Sequence, residues 1–170
     1  MEAMTATETM SIYVGTYHKY NCGSIAGKWL DLSDYDSKDE FYEACKELHS
    51  DESDPEFMFQ DYENIPESWV NESWISEKVW DFLELEDYIK EQVLIYQSVT
   101  GHGIDDCLEN YENMTYFDIT DAYDEMVSRY PQIKEIEEMN LDFVTISERE
   151  FTDGYSKVEV NGTTYCVETW

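Results

Sequence analysis

Positive charge is what this sequence lacks most. Ten Lys and Arg residues stand against 40 Asp and Glu residues in a chain of 170, which gives a formal net charge of −30. An electrostatic field of this sign repels nucleic acids and anionic membrane surfaces and attracts basic surfaces. The imbalance excludes proteins that bind nucleic acid through a basic patch, and it predicts a basic protein as the partner.

Cysteine and histidine are few and widely spaced. The cysteines Cys22, Cys45, Cys107 and Cys166 include no pair with the close spacing of a zinc site or a redox motif. The three histidines show no metal-ligand spacing and neighbour no nucleophile motif. We therefore expect free thiols, no metal or other cofactor, and no enzymatic activity.

Long apolar runs are also missing. No stretch approaches the roughly 18 apolar residues that a membrane span requires, and Met1 leads into no apolar signal segment. We expect a cytoplasmic protein that has neither a membrane nor a nucleic acid as its partner.

The residues that are present predict a folded body carrying dispersed charge. Apolar residues make up 42% of the chain and aromatic residues 15%, which a disordered acidic tail would lack. The formal charge is −10 over residues 1–62, −7 over 63–100 and −13 over 101–170. Duplex DNA carries one negative charge per about 1.7 Å of axis, so this total charge corresponds to roughly 15 base pairs.

Hydrophobic periodicity predicts an α+β fold, an elongated chain of three small modules. Residues 1–10 lack periodicity and are expected to form a disordered leader. Residues 11–62 predict an N-terminal antiparallel sheet plus a helix, residues 63–100 a central helical module, and residues 101–170 C-terminal helices plus a β-hairpin.

Local signals define the predicted elements. In the N-terminal module, strands over Ser11–Tyr17 and Ser24–Leu32 flank a turn at Asn21–Gly23, and Glu56–Tyr62 returns as a third strand. Ser37 and Glu40 form a capping box that starts a helix. Further along, the signals predict helices around Val79–Leu83, Ile89–Tyr96, Ile104–Tyr111 and Ile119–Val127, a helix start at Ile133 and Ile136, and a hairpin turn at Asn161–Gly162.

Calcium binding and hydrolysis are the chemical alternatives to binding a basic protein. Asp31–Ser37 resembles the start of an EF-hand loop, but the frame from Asp34 places Asp39 where glycine is needed, and the frame from Asp31 places Tyr42 at the twelfth position. With 40 acids, carboxylate pairs at glycosidase-like separations arise by chance. A calcium-binding or hydrolytic protein stays the less favoured alternative.

Two groups of candidate binding residues follow from these patterns. Acids on polar helix faces and loops are the candidate contacts to a basic partner: Asp36, Asp39, Glu43, Glu47, Asp51, Glu52, Glu77, Asp81, Glu84, Asp118, Asp121, Glu125, Glu135 and Glu138. Aromatic residues exceed what small modules need, and aromatic residues are enriched at protein contacts. The predicted homodimer interface is Tyr111, Tyr116, Phe117, Ala122, Tyr123 and Met126.

Three strings of this sequence resemble the ArdA-type antirestriction family. They are IYVGTYHKYNCGSIAGKWLDL (residues 12–32), KDEFYEACKELHSDESDPEFMFQDYENIP (38–66) and WISEKVWDFLEL (74–85), and they follow the family's order. The likeness is close from about residue 12 to residue 90. The segment LENYENMTYFDITDAYDEM (108–126) corresponds more loosely to the family's antirestriction motif.

The resemblance implies a function as well as a fold. Family members are elongated homodimers of three small α+β modules that imitate bent B-form DNA. They occupy the DNA groove of type I restriction-modification enzymes, on the specificity and methyltransferase subunits, without catalysis or a cofactor. By this likeness the candidate acids stand in for DNA phosphates. Mimicry directed at another DNA-binding protein, such as a nucleoid or repressor protein, stays open.

Overall fold

The N-terminal sheet is built around a central strand that is paired on both edges. In the computed structural model, which describes residues 4–131 and 151–170, β1 (Ser11–Thr16) pairs antiparallel with β2 (Lys28–Asp31) and with β3 (Phe57–Glu63). Ile12 and Val14 of β1 are fully buried, because alternate residues of a strand point to the same face. The predicted third strand is confirmed.

The connection between β1 and β2 differs from the prediction. Tyr17–Asn21 forms a short helix, α1, in which the Lys19 N–H donates to the capping hydroxyl of Thr16 at 3.2 Å. Gly23 then adopts a φ of 81°, a left-handed conformation that glycine tolerates best. The predicted strand over Ser24–Leu32 therefore shortens to Lys28–Asp31.

The predicted capping box starts helix α2 (Lys38–Leu48). The Glu40 N–H donates to Ser37 Oγ at 3.3 Å, and the Glu40 carboxylate accepts from the Asp36 N–H at 2.9 Å. Such bonds satisfy N–H groups that the first helical turn leaves unpaired. Phe41, which lies one residue after Glu40 in α2, is fully buried in the core.

The EF-hand-like stretch does not form a cation-binding loop. Leu32–Asp34 is a turn of 3₁₀ helix, and Leu32 is fully buried. A calcium loop instead turns its oxygen atoms inward around the ion. The structure of this segment thus argues against the calcium-binding alternative.

The predicted disordered leader, residues 1–10, extends too far along the chain. Met10 is buried, and its carbonyl oxygen accepts from the Leu32 N–H at 2.9 Å. The Asn64 side chain donates to the Thr9 carbonyl at 2.9 Å. Thr9 and Met10 therefore belong to the N-terminal module. Residues 1–3 lie outside the described residues.

The central region contains the two predicted helices and a small hairpin that was not predicted. Helices α3 (Lys78–Leu83) and α4 (Asp87–Thr100) follow the predicted spacing. The hairpin pairs β4 (Val70–Asn71) with β5 (Trp74–Ile75), and strands of two residues are too short to show alternation. No helix in the described parts of the chain is long and apolar enough to cross a membrane.

The C-terminal region combines helices α5 (Ile104–Asn110) and α6 (Ala122–Arg129) with a three-stranded sheet in the order β6-β8-β7. The predicted hairpin of β7 (Ser156–Val160) and β8 (Thr163–Thr169) is confirmed, with positive φ at both turn residues. Strand β6 (Met114–Asp118) was missed. The helix start predicted at residues 133–136 lies outside the described residues.

The buried residues form one cluster across the predicted module boundaries. The cluster runs from Met10 in the N-terminal part to Val167 in β8. Between the central and C-terminal parts, the Gln92 side chain of α4 donates to the Tyr116 hydroxyl of β6 at 3.1 Å. The structure thus confirms the α+β class, and the division at residues 62 and 100 stays a prediction.

Thiol labelling is expected to separate Cys22 from the other three cysteines. Cys22 is exposed, whereas Cys45, Cys107 and Cys166 are buried. Burial raises the pKa of both Cys45 and Cys107 to about 12, so both thiols stay protonated at pH 8 and react slowly. Mass spectrometry after iodoacetamide treatment should show one label on the native protein and four after denaturation. Native labelling of Cys45 or Cys107 would contradict the described core.

Candidate functional site: an acidic groove

Helix α2 carries a line of carboxylates on its solvent-exposed face. Asp39, Glu43 and Glu47 are exposed and occur at every fourth residue. Because an α-helix rises about 1.5 Å per residue, the three carboxylates follow one another in steps of about 6 Å. One strand of duplex DNA presents a phosphate per about 3.4 Å of axis, so the two charge densities are of the same order.

A groove between α2 and α3 collects further predicted acids. It consists of two adjoining clefts that share Asp36, Trp80 and Glu84. The acidic groove, as we define it, is lined by the carboxylates of Glu8, Asp36, Asp39, Glu77, Asp81 and Glu84, with Trp80 common to both clefts. Five of these six acids were predicted as phosphate stand-ins, and Glu8 was missed because its segment was predicted to be disordered.

Local structure and core packing together place these carboxylates. The capping box fixes Asp36 and Asp39 at the start of α2, while Glu77, Asp81 and Glu84 lie at or beside α3. The rings of Phe41 and Trp80 pack with their centroids 5.8 Å apart and so join the two helices. This aromatic contact turns two separate acidic helix ends into one groove.

The lysines around the groove leave most of its charge uncompensated. Lys38 donates to the Ile75 carbonyl at 2.8 Å, which anchors the β4–β5 hairpin instead of pairing with an acid. Lys78 pairs with Asp81 at 2.7 Å, and Lys90, which lines one of the two clefts, lies 3.4 Å from Asp87. The carboxylates of Asp36, Asp39, Glu77 and Glu84 form no ion pair with any residue in the described ranges, so the groove stays strongly negative.

Two predicted phosphate stand-ins, Asp51 and Glu52, take part in an ion-pair cluster with Lys19, although Asp51 itself is exposed. Lys19 donates to Asp51 at 2.8 Å and lies 3.6 Å from Glu52. The bond to Asp51 raises the pKa of Lys19 and lowers the pKa of Asp51. Glu52 is half-buried and accepts from the Thr16 hydroxyl at 2.7 Å, so part of its hydrogen-bonding capacity is used within the chain. The buried His49 ring completes the cluster, with Nδ1 2.9 Å from the Lys19 ammonium.

The remaining predicted acids are less uniform. Asp121 is exposed, whereas Asp118 is half-buried and accepts from the Thr120 N–H at 2.9 Å. Glu125 is half-buried and pairs with Arg129 at 2.8 Å. Both half-buried acids stabilise local structure around α6. Glu135 and Glu138 lie outside the described residues.

The predicted dimer residues are partly used inside the protomer. Ala122 and Met126 are buried in the chain's own core, so the prediction that they form an interface needs correction: they present no open surface to a second copy. The other four are half-buried; Tyr116 packs on Tyr165 and Phe117 on Tyr155, while Tyr111 and Tyr123 complete the set. Exposed aromatic residues in the described C-terminal part include Tyr130, at 49% exposure, and Trp170, at 69%.

These features define an acidic α+β protein with a carboxylate-lined groove between two helices. One family model, described as antirestriction protein (ArdA), matches residues 12–155. The chain therefore belongs to the ArdA family, and its function is antirestriction, as the resemblance of its sequence predicted. No curated protein matches the chain directly.

Proposed function

We propose that this protein inhibits type I restriction-modification enzymes by imitating DNA and binding in their DNA-binding groove, without catalysis. The observation that carries the proposal is the acidic groove together with the carboxylate line of α2. Nine of the twelve predicted phosphate stand-ins that lie in the described residues are exposed. Such a surface offers fixed anions to a groove that is built to bind phosphates.

The physical basis is that most contacts to DNA are made with its backbone. Lys and Arg contacts to phosphates supply affinity that is largely independent of sequence. Carboxylates held on helices can satisfy the same cationic side chains, and their fixed positions reduce the ordering cost of binding. Mimicry of this kind blocks enzymes that recognise different sequences, because no base has to be read.

The specificity and methyltransferase subunits hold the DNA, so we place the contact there. The test is a cleavage assay with a purified type I enzyme, unmodified plasmid DNA, ATP and increasing amounts of the protein. Inhibition should be complete when the protein is about equimolar with the enzyme, and excess competitor duplex DNA should relieve it. Full cleavage in excess protein, with the enzyme shown to be active, would refute the proposal.

A capture experiment separates this target from other DNA-binding proteins. The tagged protein is incubated with a lysate containing the type I enzyme, and bound proteins are identified by mass spectrometry. Recovery of the specificity and methyltransferase subunits supports the proposal. Recovery of nucleoid or repressor proteins alone would favour the alternative of mimicry directed at another target.

Salt is expected to move stability and binding in opposite directions. The electrostatic screening length falls to about 10 Å at ~0.1 M salt, which reduces repulsion among the charges of this −30 protein. The melting temperature should therefore rise with added NaCl. The same screening should weaken the complex with the enzyme. Differential scanning fluorimetry and a DNA-competition titration at several salt concentrations measure the two trends. Parallel trends would contradict the electrostatic account.

We also propose that the protein works as a homodimer whose contact lies near Tyr130 and Trp170. Exposed aromatic residues at a contact commonly dominate its binding energy. Light scattering at micromolar concentration should give twice the monomer mass of 20.1 kDa. Replacing Tyr130 and Trp170 together by alanine should raise the dimer dissociation constant by about 30-fold or more, whereas replacing the exposed Ile25, which lies in the N-terminal part, should not. A monomeric native protein would refute this proposal.

A further inference from the structure

Lys38 joins the two walls of the acidic groove through a contact that involves no carboxylate. It is the first residue of α2 and is half-buried, and its ammonium donates to the Ile75 carbonyl at 2.8 Å. Ile75 is the last residue of β5, and α3 begins shortly after it, at Lys78. The bond therefore ties the start of one acidic helix to the segment that leads into the other.

Two aromatic rings hold the Lys38 ammonium in this position. It lies 5.6 Å from the centroid of the Tyr42 ring and 5.8 Å from that of the Trp74 ring, distances at which a ring face attracts a cation. In the described parts of the chain Lys38 forms no ion pair, whereas Lys46, on the same helix, pairs with Glu43. The Lys38 ammonium is thus a bridge between α2 and the β4–β5 hairpin.

Repulsion between the walls of the groove acts against this bridge. Asp36 and Asp39 lie on the α2 wall and Glu77 and Glu84 on the α3 wall, and no ion pair within the described ranges offsets these four charges. Like charges that face one another across a cleft favour a wider separation. Lys38 lines the cleft between them, so both its hydrogen bond and its positive charge oppose that separation.

We infer that Lys38 is a positioning residue for antirestriction: its bond to Ile75 fixes the spacing of the groove walls, and its loss weakens binding of the target. This role rests on the proposed function. The overall field alone predicts the opposite effect, because removal of a positive charge makes the protein more attractive to a basic surface. Loss of the bridge instead lowers the fraction of molecules whose groove walls are correctly spaced, and the apparent affinity falls with that fraction.

The test compares Lys38→Met with Lys46→Met, which removes the same charge from an exposed position of α2. Competition with a labelled duplex for the purified type I enzyme measures the dissociation constant of each variant. Lys38→Met should bind about tenfold more weakly or worse, as expected for the loss of a hydrogen bond from a charged group. Lys46→Met should bind as tightly as the native protein or more tightly. Lys38→Arg, which keeps the charge, the donor and the attraction to aromatic rings, should restore most of the affinity.

Hydrogen–deuterium exchange of the free protein checks the bridge without the enzyme. The paired strands of the β4–β5 hairpin have two residues each, so the hairpin has few hydrogen bonds of its own and depends on its anchors. The amides of residues 70–77 should exchange faster in Lys38→Met than in the native protein. They should exchange at the native rate in Lys46→Met and close to it in Lys38→Arg.

The outcomes separate this role from the proposed target. Equal affinities of Lys38→Met and Lys46→Met, or a loss in Lys38→Arg as large as that in Lys38→Met, would overturn the inference. Native-like exchange in Lys38→Met would also overturn it, since the ammonium would then not hold the hairpin. A native protein that fails to bind the enzyme, together with faster exchange confined to Lys38→Met, would refute the proposed target and support the bridge.

Discussion

Phe41→Ala is expected to lower the free energy of unfolding by about 3–5 kcal/mol, the usual cost of deleting a buried aromatic ring. Phe41 is fully buried, and its ring contacts Tyr35, Tyr42, Phe59 and Trp80. Small domains have about 5–15 kcal/mol of stability in total, so the loss is a large fraction. Urea titration followed by circular dichroism and tryptophan fluorescence measures it.

The variant also tests whether the predicted modules fold independently. Phe41 belongs to α2 and Trp80 to α3, so their contact crosses the predicted boundary at residue 62. If the modules share one core, both probes should report a single transition that shifts as a whole. Tyr20→Ala, at an exposed ring, serves as the control and should cost less than about 0.5 kcal/mol. Two separate transitions, with the second unshifted, would show independent modules.

Local signals in the sequence predicted the elements that depend on few neighbours. Residues close together in the sequence determine both the capping box at Ser37 and Glu40 and the hairpin at Asn161–Gly162. Strand β6 was missed because its pairing with β8 joins residues far apart in sequence. A hydrophobic pattern cannot report a partner strand that is distant in the chain.

The candidate site was predicted in composition but not in geometry. Acids on polar faces were correctly expected to be exposed, as at Asp39 and Glu77. The acidic groove itself depends on the long-range contact between Phe41 and Trp80, which no local pattern indicates. For the same reason the sequence does not predict the bond between Thr16 and Glu52, which joins distant parts of the chain.

Neutralising the acidic groove is expected to weaken binding to the type I enzyme by about 100-fold or more, because several charges that act on one desolvated contact are lost together. The variant combines Asp36→Asn, Asp39→Asn, Glu77→Gln and Glu84→Gln, the four groove acids around α2 and α3 that form no ion pair in the described residues. Competition with a labelled duplex for the purified enzyme measures the dissociation constant. The same four charges removed elsewhere should cost less than about fivefold, since dispersed surface charges contribute little individually.

The matched control has the same number and kind of substitutions at exposed acids outside the acidic groove: Asp54→Asn, Asp153→Asn, Glu67→Gln and Glu109→Gln. Both variants remove four of the negative charges of this −30 protein, so both should melt at or above the temperature of the native protein, because self-repulsion falls. A binding loss confined to the groove variant would then arise from position and not from total charge or misfolding. Equal losses in the two variants would mean that the enzyme senses only the overall field, and the groove would have no special part in recognition.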